Sequence, residues 1–270
     1  MAYYKGNRTI YSVLILICIV GFWLFENFYT PAPYSNKETS GLENNFPKAF
    51  LPSSTTGDIV HHSYFTLSYN EPFEQAEWVA YVLEKGHLTY DDRKRPYFLE
   101  DPFVPSKSAD WRNYKGSGYD RGHLVPAGDR RFSKQAYDET FYTSNVSPQD
   151  REFNAGIWND LEQQIRRWAK QYGSLYIFTG GVLENGLEEI GEEDVDVPNA
   201  FYKIVARKKN NKLHTISFLI PNKPQFLPLR NFVVAIDDIE EETGIDFFAE
   251  LPPDEQKAFE ATTNTVGWKF

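Results

Sequence analysis

The sequence predicts an α+β fold, with a central, mostly antiparallel or mixed sheet and helices flanking it. Three observations carry that expectation. Strand-like stretches outnumber helical ones along the chain. One long amphipathic period stands among them, with Ile157, Leu161, Ile165 and Trp168 three or four residues apart. The composition is that of a globular protein, 41% apolar and without repeats, although 270 residues admit one large domain or two small ones.

Taken in order, residues 9–25 carry no charge and are nearly all apolar, from Ile10 to Phe25. A bilayer core asks for roughly 17–25 such residues in a helix, so the run has spanning length at the short end. Trp23, Phe28 and Tyr29 suit an aromatic belt at one interface. Lys5 and Arg8 precede the span and Glu26 follows it, an asymmetry that keeps the N-terminus cytoplasmic and the remainder outside the cytoplasm, for example in a periplasm. An uncleaved signal anchor competes with a cleaved signal and with a buried core helix. Bulky Phe22, Trp23, Leu24 and Phe25 stand where a cleavage site wants small side chains, which favours the anchor. Cleavage would instead make the protein secreted.

Residues 1–29 are thus expected as an anchor or signal, and 30–57, rich in Pro, Ser, Thr, Asn and Gly, as a flexible tether. The domain is placed at 58–270. Within it strands are expected at 61–69, 77–82, 123–126, 141–146, 175–179, 201–206, 213–220 and 231–234. Helices are expected at 153–172 and at 236–243, the second stopped by Gly244. Residues 91–131, dense in Gly, Pro and charge, read as loops around one short strand. Cys18 is the only cysteine, so the domain holds neither a disulfide nor a cysteine zinc site.

The net charge of −10 is awkward for a partner of nucleic acid, but the acidity is local. Residues 184–196 hold seven acids and residues 237–242 hold five, with no base in either run; without those twelve the balance is +2. Both runs read as solvated faces, with a calcium site as the alternative. Basic residues gather instead at Arg93, Lys94, Arg95, Lys107, Arg112, Lys115, Arg121, Arg130 and Arg131.

That basic region contains Asp120-Arg121-Gly122-His123, followed by Ser144-Asn145-Val146-Ser147-Pro148-Gln149 and then Asn154, Trp158, Leu161 and Glu162. Hydrolysis of a phosphodiester needs a water made nucleophilic, neutralised phosphoryl charge and help for the departing oxygen. A neutral histidine suits the first task, because its ordinary pKa of about 6.5 leaves it able to accept a proton near neutrality. His123 is the candidate general base. Magnesium keeps several waters and needs few protein ligands, so the amide oxygen of Asn154 is a candidate sole ligand. Glu162, eight residues on, falls on roughly the same helix face and is placed to hold the ion's waters. Each residue also has a plain structural reading: Asn154 as a helix N-terminal residue, Glu162 as a solvated charge, Asn145 as a turn. His61, His62, His87 and His214 share no metal-ligand spacing and are read as structural.

Together these motifs resemble the DNA/RNA non-specific endonucleases of the ββα-metal class, over about residues 58–251. The resemblance includes the run 77–81, Thr179-Gly180-Gly181, the run 197–203 and Thr243-Gly244-Ile245. It implies a ββα-metal motif within the sheet fold and a Mg2+-dependent endonuclease, Mn2+ serving as a substitute, acting on DNA and RNA and leaving 5′-phosphates. It also implies roles. His123 activates water, Asn154 binds the metal, Glu162 supports the hydrated ion, and Asn145 positions the histidine or substrate. Arg121 is largely architectural and within reach of phosphate. An upstream arginine stabilises phosphate charge, with Arg95 the better match and Arg93 the second, although Pro96 departs from the expected pattern. A homodimer is compatible with the resemblance. The alternatives are a tethered, non-catalytic binder of nucleic acid and a phosphodiesterase acting on small nucleotides.

Overall fold

A computed structural model describes residues 8–29, 45–55, 57–210, 212–263 and 265–270. The chain forms two compact units, residues 1–32 and 33–270. In the first, helix α1 (Arg8–Phe28) runs for 21 residues, about 31 Å at 1.5 Å per residue, enough to cross a bilayer core. None of its apolar span Thr9–Phe28 is buried within the protein. The core-helix alternative therefore fails, while anchor and signal both fit the length.

The second unit starts earlier than residue 58. Phe46 and Phe50 are buried, with their rings set edge-on against Tyr176 at 5.8 and 5.1 Å. Two aromatics in a proline-rich stretch hold it to the core, so the tether expected at 30–57 is wrong for its last part. Residues 30–44 of that expectation lie outside the described residues.

The strands are β1 (Asp58–His61), β2 (Phe65–Asn70), β3 (Gln75–Leu83), β4 (Asp120–His123), β5 (Val146–Gln149), β6 (Leu175–Gly181), β7 (Glu188–Ile190), β8 (Val195–Val197), β9 (Ala200–Lys209), β10 (Lys212–Pro221) and β11 (Val233–Val234). Among them are set α2 (Lys134–Glu139), α3 (Arg151–Phe153), α4 (Asn159–Tyr172), α5 (Ile236–Thr243) and α6 (Pro253–Gln256). Seven strands make one sheet in the order β1-β2-β3-β6-β9-β10-β11, and every neighbouring pair is antiparallel. The α+β expectation holds, and the choice between antiparallel and mixed resolves to antiparallel.

Both faces of this sheet are covered, which is why β3 is buried at all nine positions. Alternate side chains divide between two cores. Val79, Tyr81, Ile177 and Val205 pack with Leu161, Ile165 and Trp168 of α4 and with Leu124 and Val125. Trp78, Ala80, Phe178 and Ile204 pack with Ile236 and Ile239 of α5 and with Phe248 and Phe259. The motif residues are carried on the first face.

The departures from expectation are local. The stretch 61–69 is a hairpin rather than one strand, turned where the His62 N–H donates to the Phe65 carbonyl at 2.9 Å. The strands expected at 123–126 and 141–146 shift to β4 and β5, because their mutual register pairs His123 with Val146 and Asp120 with Gln149. Residues 153–172 are not one helix: a π-turn, Asn154–Trp158, separates α3 from α4, and Gly156 leaves helical dihedrals there (φ −97°, ψ −112°). The acidic run 184–196 is not merely solvated. It carries the β7–β8 hairpin, and Glu193 accepts from the Asp110 N–H at 2.6 Å and from Asn113 Nδ2 at 2.5 Å. Helix α5 matches its expected bounds, with Gly244 at φ +70° closing it in the left-handed conformation that glycine adopts without strain.

Candidate active site

Strands β4 and β5 form a separate antiparallel pair, and His123 is the last residue of β4. Gly122 is required where it stands: a Cβ there would lie 2.2 Å from Cδ of Gln149, whose side chain crosses it. Beyond His123 the chain is clamped by Asn145. That amide is fully buried; its Nδ2 donates to the carbonyls of Val125 (3.1 Å) and Thr140 (3.0 Å), and its Oδ1 accepts from the Val125 N–H (2.9 Å). The Leu124 N–H donates to the Asn145 carbonyl at 3.0 Å. Both amide hydrogens are spent on backbone, so Asn145 is a positioning residue for the segment after His123.

The His123 ring sits against Phe98 and Phe141, with centroids 5.5 and 4.9 Å away. Two guanidinium groups share this aromatic floor. Arg95 lies 5.3 Å from the Phe98 centroid and 5.6 Å from that of Phe141, and Arg121 lies 4.8 Å from that of Phe98. Among the described residues neither arginine makes an ion pair with an acid. Burial, then the positive charges of Arg95 and Arg121, hold the His123 imidazole far below its usual range, at about 3. The ring is neutral at physiological pH, and its buried Nε2 has no hydrogen-bond partner among the described residues. Burial and then Arg95 lower Arg121 as well. Two cations with no ion-pair partner among the described residues, beside a neutral base, make a site arranged for an anion.

Arg93 is not part of that group. Its Nε donates to the Arg131 carbonyl at 2.6 Å and its Nη2 to Asp91 at 3.3 Å, so its fork is used to tie loops together. Of the two, Arg95 is the one that lies beside His123.

Asn154 opens the π-turn and is held from β4: its Nδ2 donates to Asp120 Oδ2 at 3.1 Å. The cap of the preceding turn is Asp150, which accepts from the Glu152 and Phe153 N–H groups, both at 2.9 Å. Asn154 is therefore not the N-cap of that turn. Its nitrogen is occupied and Oδ1 makes no hydrogen bond among the described residues, which leaves a neutral oxygen for a hard cation. Both amide atoms of buried Gln149 also lack partners. These oxygen donors fit a magnesium-type ion, which binds few protein groups and keeps its waters.

Glu162 is not a solvated charge either, since its side chain is only 15% exposed. Arg166 Nη2 donates to it at 3.2 Å, while Arg166 Nε donates to Asp129 at 2.5 Å. Fully buried Lys203 lies 4.6 Å over the Trp158 ring and donates to the Leu124 carbonyl at 3.4 Å. Burial pushes Glu162 up to about 7, against the pull of Lys203 and Arg166, and pushes Lys203 down to about 8. The π-turn breaks the simple face relation expected between Asn154 and Glu162. They are joined instead through the β4 segment: Asp120, at its start, holds Asn154, and Asp129, beyond its end, holds Arg166.

Asp129, Arg166, Lys203 and Gln149 were missed as site residues. The spacing of Glu162 and Arg166, four apart on a helix, was a readable signal. So was a lone lysine within the apolar run 201–206.

Residues 43–254 match the family model of the DNA/RNA non-specific endonucleases. The chain belongs to this family. Relatives in it include the mitochondrial nuclease of Saccharomyces cerevisiae, 33% identical over 85% of this chain and 79% of its own length. Endonuclease G of Caenorhabditis elegans is 35% identical, over 74% of each chain. The chain spans 63% of the mitochondrial nuclease EXOG of Mus musculus, at 33% identity. A crystal structure of endonuclease G bound to its inhibitor EndoGI superposes with a TM-score of 0.70 at 32% identity, covering 77% of this chain and 91% of that one. The family resemblance read from the motifs and the antiparallel α+β fold both hold. This family is one of nucleases, generally metal-dependent, and the matched region begins before residue 58, as the buried Phe46 and Phe50 do.

Proposed function

We propose that this non-specific endonuclease family member hydrolyses phosphodiester bonds of DNA and RNA with Mg2+, His123 serving as general base. The observation that carries this reading is the shared floor of Phe98, over which a neutral imidazole and two arginines without acidic partners converge. The phosphodiester seats its non-bridging oxygens against Arg95 and Arg121, whose mutual repulsion it relieves. His123 takes a proton from water at its accessible ring nitrogen and becomes imidazolium; the adjacent phosphate charge favours that change. Asn154, whose nitrogen is held by Asp120, would bind the ion through its oxygen, and Glu162, held by Arg166 and Asp129, would hold the ion's waters. When bound, the divalent ion supplies Lewis-acid charge that stabilises the phosphoryl group and the leaving oxygen. Contacts to phosphate and sugar carry no sequence information, so cleavage is non-specific.

Helix α1 tethers the enzyme to a membrane, with the catalytic unit on the side opposite Lys5 and Arg8. Several relatives are named as mitochondrial. An Asp58→Cys substitution in a Cys18→Ser background, labelled with an impermeant maleimide, tests the side. The homodimer implied by family resemblance is tested by light scattering of the detergent-solubilised chain.

Plasmid nicking by the full chain tests the chemistry. Activity requires Mg2+, stops with EDTA, and is lost in His123→Ala. Cleavage at full rate by His123→Ala, or in EDTA, ends this reading. Binding of plasmid without turnover by the intact chain replaces it with a tethered binder.

A further inference from the structure

We propose that Asp237, Glu240 and Glu260 form a second cation site, for calcium, which pins the C-terminal segment to α5. One carboxylate oxygen from each residue lies within 4.8 Å of the others. Oxygens sharing a calcium ion at roughly 2.3–2.6 Å stand no more than about 5.2 Å apart, so the three reach one ion together. All three donors are hard oxygens, with no nitrogen or sulfur, and that selects an alkaline-earth ion over a transition metal.

The second observation is Glu260. This residue is only 8% exposed, and its buried Oε1 has no hydrogen-bond partner among the described residues. The charges facing it are Glu240, Asp237 and Asp246, all acidic. A buried carboxylate among like charges is costly unless a cation joins it. Asp238, by contrast, is occupied, because its Oδ2 accepts from the Ala235 N–H at 2.9 Å as a helix cap.

The surroundings position the trio well. The Ile236 N–H at the start of α5 donates to the Glu260 carbonyl at 2.9 Å, fixing that backbone against the helix. Glu240 Oε1 accepts from the Phe247 N–H at 2.8 Å, which orients its carboxylate. An ion here ties α5 to the chain around Phe259 on the face where Ile236 and Ile239 pack. His123 and α4 belong to the other face, so the site is structural and distinct from the catalytic one.

Thermal unfolding of the full chain in detergent at pH 8 tests this, comparing chelator with Ca2+ at about 1 mM, the level that fills weak calcium sites. Calcium raises Tm by about 3–6 °C in the wild-type chain, the response expected when ligand exceeds Kd roughly tenfold. The shift disappears in Glu260→Gln and shrinks in Asp237→Asn, whose side chain is exposed. In chelator Glu260→Gln melts no lower than wild type, since the repulsion is gone. Asn154→Ala keeps the calcium shift, and Mg2+ at equal concentration yields a smaller one. If Glu260→Gln does not fold, equilibrium dialysis of Asp237→Asn with calcium decides, by weakened binding. A wild-type chain without a shift, a shift of equal size in Asp237→Asn, or a shift abolished by Asn154→Ala overturns the site.

Discussion

His62 and His123 are both enclosed by aromatic rings, yet the protein shifts their pKa values in opposite directions. His62 stacks on Phe65 at 4.3 Å and donates from Nε2 to Asp101 at 2.8 Å. Burial alone would lower its pKa, but Asp101 overcomes burial and raises it. His123 meets the same burial, and its charged neighbours are Arg95 and Arg121, so every influence acts downward. Desolvation is common to both rings; the sign of the adjacent charge decides which pKa is raised and which is lowered. Asp101 also accepts from the Phe103 N–H and from Ser144 Oγ, so the His62 pair braces the chain just before Asn145.

The largest expected effect breaks this pair by function. His123→Ala lowers the nicking rate by about 10²–10⁴-fold, the span typical of a lost general base, while circular dichroism and Tm stay near wild type. His62→Ala does the reverse. It leaves Asp101 buried without its imidazole partner and costs about 3–5 kcal/mol in chemical denaturation, while turnover per folded molecule is retained. An enzyme that loses turnover but not stability in His62→Ala would contradict the division of roles.

Asn145→Ala comes next. It orphans two carbonyls and one N–H around residues 125 and 140, at a cost of about 2–3 kcal/mol on unfolding. The rate falls through misplaced His123, so kcat drops more than KM changes. An unchanged kcat in folded Asn145→Ala removes its positioning role.

The pH profile sharpens the contrast further. His123 titrates well below its usual 6.5, so the acid limb of kcat/KM lies below that value. Arg95→Gln removes one of the charges that lower it and moves the limb to higher pH; a limb that stays put or falls excludes the assigned cause. The stability signs also differ. The unfolded chain binds the His123 proton more readily, so this group's contribution to stability is lost as pH falls from about 6.5 toward 3. The stability from His62, whose folded pKa is raised, is present at low pH and lost as pH rises through that raised value. The smallest effect is Arg93→Ala, worth under about 1 kcal/mol in Tm analysis and leaving kcat unaltered, because its partners are surface loops. A large kinetic loss there would return Arg93 to the site.

Much of this was legible along the chain, and the reasons differ by element. Helix α5 and its glycine stop were read correctly because cap chemistry is local. Strands β6, β9 and β10 were placed to within a few residues, since apolar runs bounded by polar turns report burial directly. β4 and β5 were displaced because their register depends on each other, which no single stretch encodes. The domain start was set too late for a similar reason: Phe46 and Phe50 are isolated in sequence and acquire their meaning only against Tyr176 and Phe178.

The sequence by itself determined the family, the α+β class and the apolar N-terminal helix, because spacing and residue type suffice for those. Tertiary structure alone decided that Arg95 rather than Arg93 joins His123, that Asn145 serves the backbone, and that Glu162 belongs to a buried network with Arg166, Asp129 and Lys203. Those outcomes turn on which charges and hydrogen-bonding groups are left without partners after packing. That is a property of three-dimensional neighbours, and chain order does not contain it.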